Sequence, residues 1–170
     1  MPVSIEMSVS ETIDSEEDIP DAALVQQWAD KACLCEGKVV TSVQVVSNDE
    51  MRELNNTWRG KDRPTNVLSF PMQSPDEVDV KIMGDLALCA GVINTEARQQ
   101  HKSAQAHWAH MLVHGMLHLQ GYDHIDETQA DQMEALEIRI LNGLGFDNPY
   151  LENELQELAR ILHENAHKST

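Results

Sequence analysis

Between His114 and His124 the chain reads His114-Gly115-Met116-Leu117-His118-Leu119-Gln120-Gly121-Tyr122-Asp123-His124, an H-x3-H-x5-H pattern with glycine in the eighth place. This stretch demands a helix that stops abruptly. Residues four apart on a helix sit one above the other on the same face, so His114 and His118 can aim two imidazoles at one ion. Gly121 can take positive φ, end the helix and turn the chain back, which brings His124 round as a third donor. Three neutral imidazoles suit zinc and leave a fourth position for a water whose pKa the metal lowers to near neutrality. Structural zinc is usually closed by four protein ligands rich in cysteine, so three ligands describe a catalytic site better.

The residues before this segment support the helix. Ser103 to Leu119 contains no Pro and one Gly, with Ala104, Trp108, Met111, Leu112 and Leu119 at helical spacings. His107 and His110 share that helix. His107 lies two turns before His114, about 10 Å along the axis, too far to share the ion, so both are expected beside the site or on the surface. Asp123 has two open readings, orienting an imidazole or handling protons near the metal, and capping the turn.

Elsewhere the pattern alternates between strand and helix. Val3, Ile5, Met7 and Val9 have the period of a half-buried strand. Glu16 to Asp18 with Pro20 announce a helix carrying Leu24, Val25, Trp28 and Ala32, ended by Gly37. Val39 to Val46 is rich in β-branched residues, and Ser47-Asn48-Asp49-Glu50 is a capping box for a helix fading near Thr57. A basic loop over Gly60 to Asn66 precedes a short strand, Val67 to Phe70, stopped by Pro71. A mobile connection is expected over Gln73 to Lys81, and then a strand from Ile82 to Cys89 interrupted by Gly84-Asp85. Helices follow from about Val92 to Gln100 and Glu127 to Leu141, the latter with Met133, Leu136, Ile140 and Leu141 inward and Asn142-Gly143 at its end. This order suggests an α+β or α/β layer fold. Without repeats or a long linker, one domain is expected. Leu151, Leu155, Leu158 and Leu162 form one face of a further helix, which either docks on its own domain or binds a partner or a second copy.

Composition bounds the function. With 170 residues and 41% apolar content the chain can bury a core without zinc as a staple. No apolar run approaches the roughly 20 residues of a membrane span, and Met1 to Ser10 lack a signal pattern, so no membrane and a cytoplasmic address are expected. Cys33, Cys35 and Cys89 are odd in number and read as reduced thiols. The formal charge of −17 repels a phosphate backbone, so nucleic-acid binding requires a local basic patch. Much of the acidity lies at the ends, in Glu11 to Asp21 and Glu152 to Glu164.

The histidine spacing matches the H-E-x-x-H-x-x-G-x-x-H signature of metzincin proteases except at position two, where Gly115 replaces the glutamate that takes a proton from the metal-bound water. Peptide hydrolysis is thereby disfavoured. The segment resembles instead the H-G-x-L-H-L-x-G-Y-D-H signature of the YbeY family, bacterial zinc-dependent endoribonucleases of ribosomal RNA maturation and ribosome quality control. A second block, Trp58 to Pro71, resembles that family's R-x-x-x-x-P-T-D-V-L-S-F-P motif. Met83-Gly84-Asp85-Leu86 and the ending Leu144 to Tyr150 are also similar. The family usually has Asp where this chain has Asn66.

The resemblance covers about residues 1–150, leaving 151–170 as an acidic amphipathic extension. It implies a single α+β domain with a small mixed sheet packed with several helices, one zinc per chain on His114, His118 and His124 at the end of the long helix, and Arg59 as the catalytic arginine. A guanidinium can clamp a phosphate and stabilise charge building on it. Lys61 and Arg63 would track neighbouring phosphates. The implied substrate is single-stranded ribosomal RNA at the 16S 3′ end, and the implied partners are small-subunit ribosomal proteins and an Era-type GTPase. Two further readings stay open: a noncatalytic ribosome assembly factor with a metal-stabilised surface, and a zinc peptidase that lacks the usual glutamate base.

Overall fold

The computed structural model describes residues 3–73 and 79–168. Its elements are β1 (Val3–Val9), α1 (Ala22–Ala32), β2 (Lys38–Val46), α2 (Asn48–Arg59), β3 (Val67–Pro71), β4 (Val80–Cys89), α3 (Ala90–Gln99), α4 (Ala104–Leu119), α5 (Glu127–Gly143) and α6 (Leu151–Lys168). The strands form one mixed sheet in the order β1-β2-β4-β3, with β3 antiparallel to β4 and the other pairs parallel. This is the α+β fold expected from the resemblance.

Alternation along the strands divides the core in two. Val3, Val39, Val43, Val45, Leu86 and Leu88 join the larger core, with Trp28 of α1 and Trp108, Leu112 and Met116 of α4. The opposite parity, Leu68, Ala87 and Cys89, meets Met51 of α2 in a smaller cluster. α4 and α2 therefore flank the sheet at β3, and the loop joining α2 to β3 rounds the sheet edge toward α4.

Local signals set several boundaries. Ser47 and Glu50 form the expected reciprocal capping box, and Gly60, at φ 68°, caps α2, which runs two residues past Thr57. α1 departs from its expected limits: Asp21 caps it by accepting from the Leu24 amide, and it ends at Ala32, ahead of Gly37. β4 is continuous through Gly84-Asp85. The register steps from Val40–Ile82 to Thr41–Gly84, so Met83 is an extra residue and the glycine absorbs a bulge rather than breaking the strand. A Cβ at Gly84 would lie 2.3 Å from the Phe70 carbonyl, which explains the residue. β4 also starts at Val80, inside the connection expected from Gln73 to Lys81, of which 74–78 lie outside the described residues. α3 starts two residues earlier than expected, directly after β4.

α6 is helical as expected, with Leu151, Leu155, Leu158 and Leu162 all exposed. Among the described residues no helix is long and apolar enough to cross a membrane.

Candidate metal centre and its cleft

α4 ends as its sequence dictates. The Gly121 amide donates to the His118 carbonyl and the Tyr122 amide to the Leu117 carbonyl, the paired bonds of a Schellman stop, with Gly121 at φ 96°. Gln120 ties this corner to α1, donating to the Ala32 carbonyl and accepting from the Leu34 amide. The turn carries His124 back beside the helix.

One ring nitrogen from each of His114, His118 and His124 lies within 4.8 Å of the others. The Nε2 atoms of His114 and His118 are 3.0 Å apart, close to the about 3.3 Å between two nitrogens on one tetrahedral zinc. The donor set fits a metal in protonation as well. Burial, followed by His114 and His124, pushes the His118 pKa down and favours the neutral imidazole a metal requires.

The orientation of His114 comes from α5, through a residue that sequence reasoning missed. Glu137 is 1% exposed. Its carboxylate lies 2.6 Å from His114 Nδ1 and 2.8 Å from His110 Nε2, and it accepts a short hydrogen bond from the Tyr150 hydroxyl. Burial pushes its pKa up, but the bonds from His110 and His114 outweigh burial and hold it at about 2. An ionised carboxylate on Nδ1 leaves His114 Nε2 as the lone-pair donor facing His118 and His124. Burial and Glu137 likewise raise the Tyr150 pKa, which keeps its hydroxyl a donor. The signal was present in the sequence: Glu137 falls within the stripe of Met133, Ile140 and Leu141, and a carboxylate on a buried stripe needs a partner.

His107 and His110 are buried rather than on the surface. His107 Nε2 lies 3.0 Å from Glu96, and His110 shares Glu137 with His114. Glu96 also accepts from the Asn66 side-chain amide at 3.1 Å. Burial raises the Glu96 pKa, but the bonds from His107 and Asn66 bring it below its usual value. An Asp at position 66 would set two carboxylates against each other, so the amide suits this neighbour. Asp123 accepts from the His124 amide at 2.8 Å, consistent with capping, and its carboxylate is 3.8 Å from His124 Nδ1.

The basic loop closes the other side. The buried Asn55 donates to the Arg63 carbonyl and so pins the loop after Gly60. A cleft of about 370 Å³ is lined by Arg59, Lys61 and Arg63 on one side and His114, His118, Asp123 and His124 on the other, over a floor that includes Asn66 and Ser69. All the sequence-derived site residues thus meet in one concavity. Gly115 does not reach it. A Cβ there would come within 2.8 Å of Leu86 and 3.1 Å of Val67 in the sheet, so this position has no room for the general-base glutamate of a metzincin.

A small mixed sheet, a helix ending in three convergent imidazoles, and a basic loop facing them define an α+β protein with a triad that could hold a metal ion. The model of the YbeY endoribonuclease family matches residues 6–145. The chain is also similar to the solution structure of TM1509 from Thermotoga maritima, at 25% identity and TM-score 0.53, covering 81% of this chain and 87% of that one. The chain belongs to the YbeY endoribonuclease family. Membership supports an endoribonuclease role in ribosomal RNA processing.

Proposed function

We propose that this protein is a single-strand-specific, zinc-dependent endoribonuclease acting in 16S ribosomal RNA 3′-end maturation and ribosome quality control in the cytoplasm, alongside small-subunit proteins and an Era-type GTPase. The observation that carries the reading is the shared cleft, lined by three cations and by three histidines whose ring nitrogens lie within 4.8 Å of one another. Such a cleft suits a phosphodiester, whose charge the cations meet while the histidine side holds the metal.

His114, His118 and His124 hold the ion, with Glu137 fixing the His114 tautomer. When bound, zinc supplies Lewis acidity and brings the pKa of a water toward neutrality. Arg59 clamps the scissile phosphate and counters the charge that builds on it in the transition state. Lys61 and Arg63 hold neighbouring phosphates, giving the backbone a local attraction that the overall charge of −17 opposes.

The test is cleavage of an end-labelled single-stranded RNA by untreated, chelated and zinc-restored protein, with His114→Ala as control. Cleavage lost on chelation, regained with zinc and absent from the variant is the expected result. Equal cleavage by the variant would refute the assignment, and 5′-phosphate or cyclic-phosphate ends separate attack by water from attack by the ribose 2′-OH.

A further inference from the structure

Of the three tryptophans, Trp28 and Trp108 are 2% and 1% exposed, whereas Trp58 is 65% exposed. So large an apolar ring left in water has no packing explanation. Trp58 stands in the last turn of α2, one residue before Arg59. Its ring meets Phe70 at 68° with centroids 5.9 Å apart, and Phe70 directly follows Ser69 on β3. Arg59 and Ser69 both line the cleft. Phe70 alternates with Ser69 and packs with the α2-side cluster, so the aromatic pair lies on the α2 face of the edge strand β3, around which the cleft reaches as far as Asn55 and Leu68.

The charge beside it is equally unusual. In a chain with 12 basic and 29 acidic residues, Arg52, Arg59, Lys61 and Arg63 lie within twelve positions. Arg52 is taken by Asp62 at 2.7 Å. The side chains of Arg59, Lys61 and Arg63 have no carboxylate partner among the described residues. An open indole held by a second ring beside unpaired cations is the combination that takes a base on the ring and its phosphates on the cations.

We propose that Trp58, held by Phe70, is a stacking platform for an unpaired nucleobase of the RNA strand next to the phosphate seated in the cleft. The inference rests on the RNA-cleaving reading above and adds to it a source of strand selection. Every base has a π-face, so the platform is tolerant of sequence, but in a duplex those faces are covered by neighbours. Trp58 thereby selects for single strands without reading a base edge. It binds substrate and takes no part in proton transfer.

Because the other tryptophans are buried, the intrinsic fluorescence change on adding RNA reports Trp58. Titration of the zinc-loaded full chain with a short single-stranded RNA quenches that emission. An oligonucleotide of equal length and charge with abasic positions around the cleavage site does not quench and binds about tenfold more weakly, the loss expected for one stacked base. Trp58→Ala raises KM about tenfold with kcat retained and zinc content unchanged, and Trp58→Phe recovers most of the difference. Equal binding of intact and abasic strands to the parent protein overturns the platform even if Trp58→Ala folds poorly. So does parental KM in a folded Trp58→Ala variant, the outcome expected if a protein covers the ring. Both leave chelation-sensitive cleavage by the parent intact. Failure of the parent protein to cut RNA at all sinks the functional reading, and this inference with it.

Discussion

On the α4 side of the cleft His114 is 23% exposed and Glu137 1%, each side chain tied to the next. On the loop side Arg59, Lys61 and Arg63 are exposed and pair with no carboxylate among the described residues, while their loop is tied down through the Arg63 carbonyl, Asp62 and Asn66. The contrast follows from what each side is expected to hold. A metal tolerates little error in donor position, and His114 is fixed through its hydrogen bond to the buried Glu137. A flexible phosphodiester can be met by long side chains that settle on it, and exposure keeps those cations hydrated until it arrives.

If that division holds, substitutions on the two sides separate in assay. The largest effect is expected from Arg59→Ala, which should lower kcat/KM about 10²–10³-fold, as when one donor to a developing oxyanion is removed, while zinc affinity measured by chelator competition stays put. A change in zinc affinity would break the comparison. Arg59→Lys should recover only part, because it keeps the charge and loses the bidentate fork.

Glu137→Gln reverses the pattern. Zinc affinity should fall about 10–100-fold, and the melting temperature should drop as His110 and Tyr150 lose an ionised acceptor, a cost of about 1–3 kcal/mol. Metal titration together with calorimetry checks both. Saturating zinc that restored none of the lost cleavage would show that Glu137 does more than place His114.

Lys61→Ala should be milder. RNA affinity should fall at low salt, and the slope of log K against log salt should become shallower by about 0.7, the share of one phosphate contact on a single strand. An unchanged slope removes Lys61 from the RNA path.

The smallest effect lies at the far end of α2. Hydrogen bonds from Ser10 and Ser47, with Thr12, hold the Glu50 carboxyl at about 2, below its usual 4.5. The unfolded chain therefore binds the extra proton between these values, so the contribution of Glu50 is complete above pH 4.5 and is lost as pH falls toward 2. The parent melting temperature should decline more steeply across that window than that of Glu50→Gln, whose loss at pH 7 should be about 1 kcal/mol. Parallel curves would mean that the cap does not stabilise α2 and, through it, the placement of Arg59.

Much of this was legible in the sequence because it is local. The Ser47 capping box, the Gly121 stop and the pairing of His114 with His118 each depend on residues within one or two turns. The start of α1 differs from the expectation because Asp21, not the acidic run before Pro20, supplies the cap. Gly84-Asp85 reads as an interruption in the sequence because a bulge exists only relative to the partner strand. The role of Glu137 is not legible locally because it depends on an imidazole 23 residues away.

By itself the sequence determined the elements, the three donors and the basic loop, since helix period, turn chemistry and residue type act over short range. Only the tertiary structure decided that the loop rounds the edge of β3 to face the triad, that Glu137 orients His114, that Gly115 points into the sheet and that Trp58 stays open beside Arg59. Those relations join elements far apart in the chain, and they are fixed when the two faces of one sheet bury their apolar residues against α4 and α2.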